Sequence, residues 1–439
     1  MIGMISSFMT RVVSRYLPDP LVFALILTIV VFALGLSMGN SPASMMQMWG
    51  GGFWNLLAFT TQMAMVIVTG YALASSPLIK KILKACASLA KTPRQAVALV
   101  CFAGSVACVI NWGFGLVVGA LFAKEVARKL KSTDYGLLIA CAYIGFMTWG
   151  GGLSGSMPLL AATPGNPVEK YVGGIIPISD TIFTHYNIFI TLALIVLMPL
   201  LVIFMTPKIP KPIDPSLLAE DPSFEKKVSK EDSIAVKIEE SKILNYIIVA
   251  LGIWFLLDYF MKHGFNVTIN TVNLIFIILG MLLHKTPMAY MRAVGAAAKS
   301  TAGILIQFPF YAGIALMMEN SGIGKVITEW FVNIANKDTF AVLTFFSSAI
   351  INFAVPSGGG HWVIQGPFVI EAAKEVGAPL GKATMAIAYG EQWANMIQPF
   401  WALPALAIAG LGVRDIMGYC ITALIFSVPI FVIGLYFLH

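Results

Sequence analysis

The chain has 439 residues, of which 58% are apolar and only 11% charged, with a formal net charge of +7. Its mean hydropathy of +0.84 excludes a soluble globular domain. Several apolar stretches reach the roughly 18 to 22 residues needed to cross a hydrocarbon core about 30 Å thick, so the chain reads as an all-α polytopic membrane protein. Arg11 and Arg15 precede the apolar run Leu21 to Leu36, as in a signal peptide. That run is longer than a signal-peptide core and no small-x-small cleavage site closes it, so a retained first helix is expected. Cys86, Cys101, Cys108, Cys141 and Cys420 show no metal-ligand spacing and read as small buried apolar residues.

In chain order, residues 1–19 form an amphipathic surface segment ending at Pro18-Asp19-Pro20, followed by crossings at 20–39 and 56–74. Two basic stretches come next: Lys80, Lys81, Lys84, Lys91 and Arg94, then Lys124, Arg128, Lys129 and Lys131. Short positive loops favour the cytoplasmic side, so the apolar stretch 95–123 between them is expected to enter and leave on one side. Each arm would be a short half-helix, with Asn111-Trp112-Gly113-Phe114-Gly115 at the tip, where glycine allows the turn. One long tilted helix is the alternative.

A crossing around 135–158 is interrupted by Trp149-Gly150-Gly151-Gly152; an outer segment at 161–184 and a span at 186–206 follow. Residues 207–242 are polar and too poor in apolar residues for a core, so they read as a cytoplasmic linker. Balanced charge and a single aromatic, Phe224, argue against nucleic-acid binding there. The second half has crossings near 243–262, 269–284 and 300–319, a hairpin candidate at 339–373, and crossings within 383–409 and 415–437. This map has nine crossings and two hairpins, a cytoplasmic N-terminus and a periplasmic C-terminus. It puts 22 lysines and arginines inside and 6 outside.

The halves 20–206 and 243–439 match each other. Leu34-Gly35 corresponds to Leu279-Gly280, Asn111 to Asn352, and Lys124-Glu125-Val126 to Lys374-Glu375-Val376. Ala140 to Tyr143 followed by Trp149 resembles Ala386 to Tyr389 followed by Trp393. The charge map runs the two repeats in opposite directions. The expected fold is therefore an inverted-repeat secondary transporter with two re-entrant helical hairpins and broken transmembrane helices.

The second tip, Asn352-Phe-Ala-Val-Pro-Ser357-Gly358-Gly359-Gly360-His361, carries the chemistry. A half-helix beginning inside the membrane presents unpaired N–H groups and a positive dipole end, which favour a carboxylate. Ser357 and Gly358 to Gly360 suit that role; packing through small residues is the alternative for the glycines. Asn111 and Asn352 would either bind Na⁺ through their carbonyls or cap the broken helices. His361 would bind a carboxylate, carry a proton, or be structural. Glu391 is costly inside a span and points to proton or sodium coupling, with structural pairing as the alternative. Asn111, Gly113 and Gly115 at the first tip, Thr148, Ser154 and Ser156 after it, and Gln392 and Asn395 in the second half are expected to contact substrate, with Gln398 a further neutral donor along the same broken crossing. Trp112, Trp149, Trp362 and Trp393 would wall an acyl chain, or simply pack.

The stretches Asn111-Trp-Gly-Phe-Gly115, Gly145 to Ser156, Asn352 to Trp362 and Glu391 to Pro399 resemble, with nearly end-to-end coverage, the bacterial short-chain fatty acid transporter family. The resemblance implies uptake of short monocarboxylates such as butyrate and acetoacetate across the bacterial inner membrane. The family's wider ion-transporter group implies inverted repeats, two re-entrant hairpins and a homodimer in the lipid bilayer. The coupling ion, H⁺ or Na⁺, stays open; no other cofactor is expected. The Ser-Asn-Thr hairpin tips of the sodium-dicarboxylate branch are absent. No arginine lies within a proposed span, which fits a single carboxylate; a dicarboxylate or other organic-anion exchanger is the rival transporter. Isolated His361 and Glu391 lack the oriented nucleophile and base of an intramembrane hydrolase, so no enzyme is expected. A passive channel would show flux without saturation or ion coupling.

Overall fold

The computed structural model describes residues 2–438 except 17, 167, 212, 219–223, 225–228, 230–232, 265–267 and 299–300. Much of the expected linker 207–242 lies outside the described residues. Among the described residues every regular element is helical.

The chain opens with α1 (Ile2–Tyr16), α2 (Pro20–Ser37), α3 (Pro42–Gly52), α4 (Leu57–Ala74) and α5 (Pro77–Ala87). Proline begins α2, α3 and α5, at the position where a helix has an unpaired N–H in any case. Asp19 and Ser41 cap α2 and α3 through side-chain oxygens. Next come α6 (Pro93–Ile110), α7 (Trp112–Lys129), α8 (Tyr135–Ile144), a 3₁₀ turn at Gly145–Thr148, α9 (Ser156–Ala161), α10 (Glu169–Val172) and α11 (His185–Met205). The short α12 (Ile234–Glu239) leads into α13 (Lys242–His263), α14 (Ile269–His284), α15 (Pro287–Ala298), α16 (Ala302–Asn320) and α17 (Ile323–Val332). The last elements are α18 (Phe340–Ile351), α19 (Gly358–Val376), α20 (Leu380–Ala394), α21 (Leu403–Ala409) and α22 (Val413–Phe437).

Each half packs on the other, with α2 against α16 and α4 against α14. α6 folds back along α7, and both pack on α8. α18 and α19 both pack on α20. The two helices at the centre of these groups are the most enclosed: α8 is buried except at Gly136, and α20 is buried from Gly381 to Gln392. α13 is the opposite case, with Ile243, Trp254, Leu257 and Met261 exposed, an apolar surface suited to lipid.

By helix length and apolarity, fewer segments qualify as spans than the nine crossings expected. Among the described residues, five helical segments, α6 included, are long and apolar enough to span a bilayer, or six if α4 and α5, bent by 79°, count as one. The expected crossings at α2 and α14 lie near the lower length limit of about 17 residues, and those at 135–158 and 383–409 are interrupted helices, so these four fall outside that set. The arms around Asn111 are not half-helices either. α6 and α7 have 18 residues each, or about 27 Å, because they continue past the apolar stretch into polar turns at Pro93 and Lys129. Cys86 is exposed on the amphipathic α5, while the other four cysteines are buried as expected.

Candidate functional site

Four helix interruptions meet in the interior: Asn111, residues 145–155, residues 352–357 and residues 395–402. Their contacts are specific. The Leu153 N–H donates to Val109 O at 2.7 Å and the Trp112 N–H to Ser154 Oγ at 2.9 Å, so the second interruption closes over the first. The Gly150 N–H donates to Gln392 Oε1 at 2.6 Å, which joins it to α20. A methyl on Gly150 would lie 2.3 Å from that oxygen, so a larger residue would displace the Gln392 side chain and its hydrogen bond. Asn352 Nδ2 donates to Asn395 Oδ1 at 2.9 Å, linking the third and fourth interruptions, and Tyr143 OH donates to Asn395 O at 2.8 Å.

At Asn111 the side-chain carbonyl is used locally. Asn111 Oδ1 accepts from the Phe114 N–H at 3.0 Å and caps α7. Gly115 faces Cys108 so closely that a methyl would meet its backbone N at 2.6 Å, and a methyl on Gly113 would meet Val66 at 3.3 Å. These glycines serve helix packing. Thr148 Oγ1 donates to Ser105 O at 2.8 Å and anchors the 3₁₀ turn on α6.

The start of α19 differs. Its side-chain cap is a single 3.4 Å bond from the Gly360 N–H to Ser357 Oγ. A methyl on Gly358 would lie 2.9 Å from Ser156 Cβ, 3.2 Å from the Trp149 ring and 3.4 Å from Glu391 Oε2. The Glu391 carboxylate therefore sits beside the first turn of α19. Glu391 is fully buried, and neither of its oxygens has a hydrogen-bond partner. Asn352 Oδ1, Asn395 Nδ2, Gln398 Nε2 and Trp149 Nε1 are buried without partners as well. One turn on, His361 Nε2 lies 2.8 Å from Gln365 Oε1 and 3.1 Å from Ser348 Oγ, which ties α19 to α18.

An aromatic wall backs this point. Trp149 stacks on Phe146 at 5.4 Å and lies 6.4 Å from Trp112 and 6.1 Å from Trp401. The other two expected tryptophans are elsewhere: Trp393 Nε1 donates to Leu424 O at 2.9 Å, and Trp362 Nε1 to Asn166 Oδ1 at 3.4 Å. They were grouped with the wall because they neighbour polar residues in sequence, but helix geometry turns them away. Phe146 and Trp401 were missed; the signal for Trp401 was its place just after Gln398-Pro399, where α20 is interrupted. Asn187 was also missed. It accepts from Tyr389 OH at 2.6 Å and donates to Gly151 O at 2.9 Å, bracing the glycine loop. Among the described residues no group of three or more His, Cys, Asp or Glu side chains has metal-site geometry.

The chain is similar in sequence to known transporters. The family model described as short chain fatty acid transporter matches residues 1–438. A protein of Escherichia coli (strain K12) that carries the name of a short-chain fatty acid transporter is 69% identical, with 99% of each chain covered. One of Haemophilus influenzae, named in the same way, is 66% identical over 100% of both chains. Among solved structures, the YdaH transporter of Alcanivorax borkumensis aligns with 96% of this chain and 97% of its own, at 16% identity and a TM-score of 0.45.

Proposed function

The chain belongs to the short-chain fatty acid transporter family, and on that premise we propose that it moves short monocarboxylates such as butyrate and acetoacetate across the bacterial inner membrane by symport with a proton or a sodium ion. One observation carries the coupling: the unpartnered, fully buried Glu391 carboxylate beside the glycine-rich start of α19. An ionised carboxylate buried there needs a proton or a metal cation as partner. The same helix end, with bare glycine N–H groups and the Ser357 hydroxyl, is where a substrate carboxylate docks. Two carboxylates at one helix end repel each other. A cation on Glu391 removes that repulsion, so the acid and the cation bind together, which is the requirement for symport.

The substrate tail lies against Trp149 and its aromatic neighbours, with Ser156, Gln392 and Asn395 as polar neighbours. His361 holds the two arms together. Sodium has a specific second support in Asn352 Oδ1, a buried carbonyl oxygen with no donor. Glu391 is fully buried while Ser357, Gly359 and Gly360 are half-buried, so passing the acid and the cation through to the other side requires α18–α19 or α6–α7 to move, the behaviour of an alternating-access transporter.

Element order supports the inverted repeat. The series α2 to α8 is echoed by α14 to α20, and each series contains a helix pair broken at an asparagine, α6–α7 and α18–α19. We take these pairs as re-entrant hairpins entering from opposite faces, with the N-terminus cytoplasmic and the C-terminus periplasmic, as the lysine and arginine distribution favours. A dicarboxylate exchanger would need a second strong donor; the site offers neutral polar groups around Glu391 instead.

The test is uptake of labelled butyrate and acetoacetate into proteoliposomes under separately imposed pH and Na⁺ gradients. Saturable accumulation driven by one gradient is expected. No saturable uptake of either acid under any gradient overturns the proposal.

A further inference from the structure

We propose that the cavity at the start of α20 is a second, peripheral binding site for short monocarboxylates, with the Lys382 ammonium as the anion's partner. The inference rests on the substrate reading above and adds a place where the acid is held before it reaches Glu391. The cavity is about 540 Å³ and lies among the segment Ile175–Pro177, the first turns of α18 and α20, and the end of α22. Its walls include Ile176, Phe340, Leu380 and Leu435, which suit a short alkyl tail.

Lys382 is the unusual member of this lining. It is only 8% exposed, its Nζ donates to Leu438 O at 2.6 Å, and it lies 5.7 Å from the Tyr186 ring centroid. Among the described residues no side-chain carboxylate lies within ion-pair distance of it. Burial lowers its proton affinity, and Asp338 partly offsets that. Asp180, Asp338 and Lys337 also line the cavity, but all three are exposed, so their charges are solvated at its rim. The covered wall thus presents an ammonium with unused donor capacity among apolar side chains, the complement of a carboxylate with a short tail. Glu391 lies about 14 Å further along α20, so an acid held on Lys382 is about two and a half helical turns from the coupling carboxylate.

The experiment is equilibrium binding of labelled butyrate to the full chain in lipid nanodiscs, comparing wild type with Lys382→Gln, Lys382→Arg and Leu380→Trp. The wild type is expected to show two classes of site. Lys382→Gln should weaken one class by about tenfold or more, Lys382→Arg should keep it, and Leu380→Trp should fill the cavity and remove it. A second class of site unchanged in both Lys382→Gln and Leu380→Trp, or a single class in the wild type, overturns the proposal. Failure of the symport reading would appear separately, as uptake indifferent to both ion gradients while the two binding classes persist.

Discussion

The interruptions at Asn111 and at residues 352–357 are matched in sequence and differ in what they leave over. At Asn111, the first N–H groups of α7 are met by Asn111 Oδ1 and Ser154 Oγ at 3.0 and 2.9 Å, and the adjacent glycines are filled by packing. At the second, Asn352 reaches across to Asn395, the cap on α19 is a 3.4 Å bond, and a carboxylate without a partner stands beside it. Buried polar groups are ordinarily paired, so the side with the unpaired ones is where a ligand has something to bind. On the function proposed above, the first break is architectural and the second serves binding and coupling.

Substitutions break or sharpen that contrast. The largest effect is expected for Glu391→Gln, which should lower gradient-driven accumulation of butyrate by about tenfold or more while the protein remains assembled, as read by uptake and gel filtration. Gly150→Ala should come next: its methyl meets Gln392 Oε1 at 2.3 Å, and an overpacked interior costs about 1–3 kcal/mol, visible as a lower thermal midpoint. Ser154→Ala removes an acceptor for a buried N–H and should cost about 1–2 kcal/mol of stability, with the ion dependence of uptake unchanged. Ser357→Ala should do the reverse, raising the KM for butyrate severalfold with little change in melting. If Ser154→Ala altered the ion dependence, or Ser357→Ala only the stability, the assignment of the two breaks would be exchanged.

The positions of the interruptions were legible in the sequence. Asparagine, glycine and proline within apolar runs mark where helix cannot continue, and α18 and α19 stop and start within a few residues of the expected tip. Glu391 stood out for the same reason, a costly group in an apolar stretch. Which polar atoms are spent was not legible. The Trp112 N–H finds its acceptor on Ser154, and the Gly150 N–H finds its own on Gln392, from elements remote in sequence. Helix length was misjudged where α6 and α7 continue into polar turns, since hydropathy locates the apolar part of a helix and not its ends. The aromatic wall likewise depended on side-chain direction, which separates Trp149 from Trp393 despite their matching places in the two halves.

The central claim is that Glu391 couples the ion while the start of α19 receives the acid. It is tested most directly by comparing exchange with accumulation in proteoliposomes containing Glu391→Gln. A glutamine is a permanently neutral stand-in for the loaded carboxylate, so the variant should still exchange internal unlabelled butyrate for labelled butyrate outside. It should no longer accumulate butyrate in response to a pH or Na⁺ gradient. Accumulation at the wild-type level under the same gradient would contradict the account.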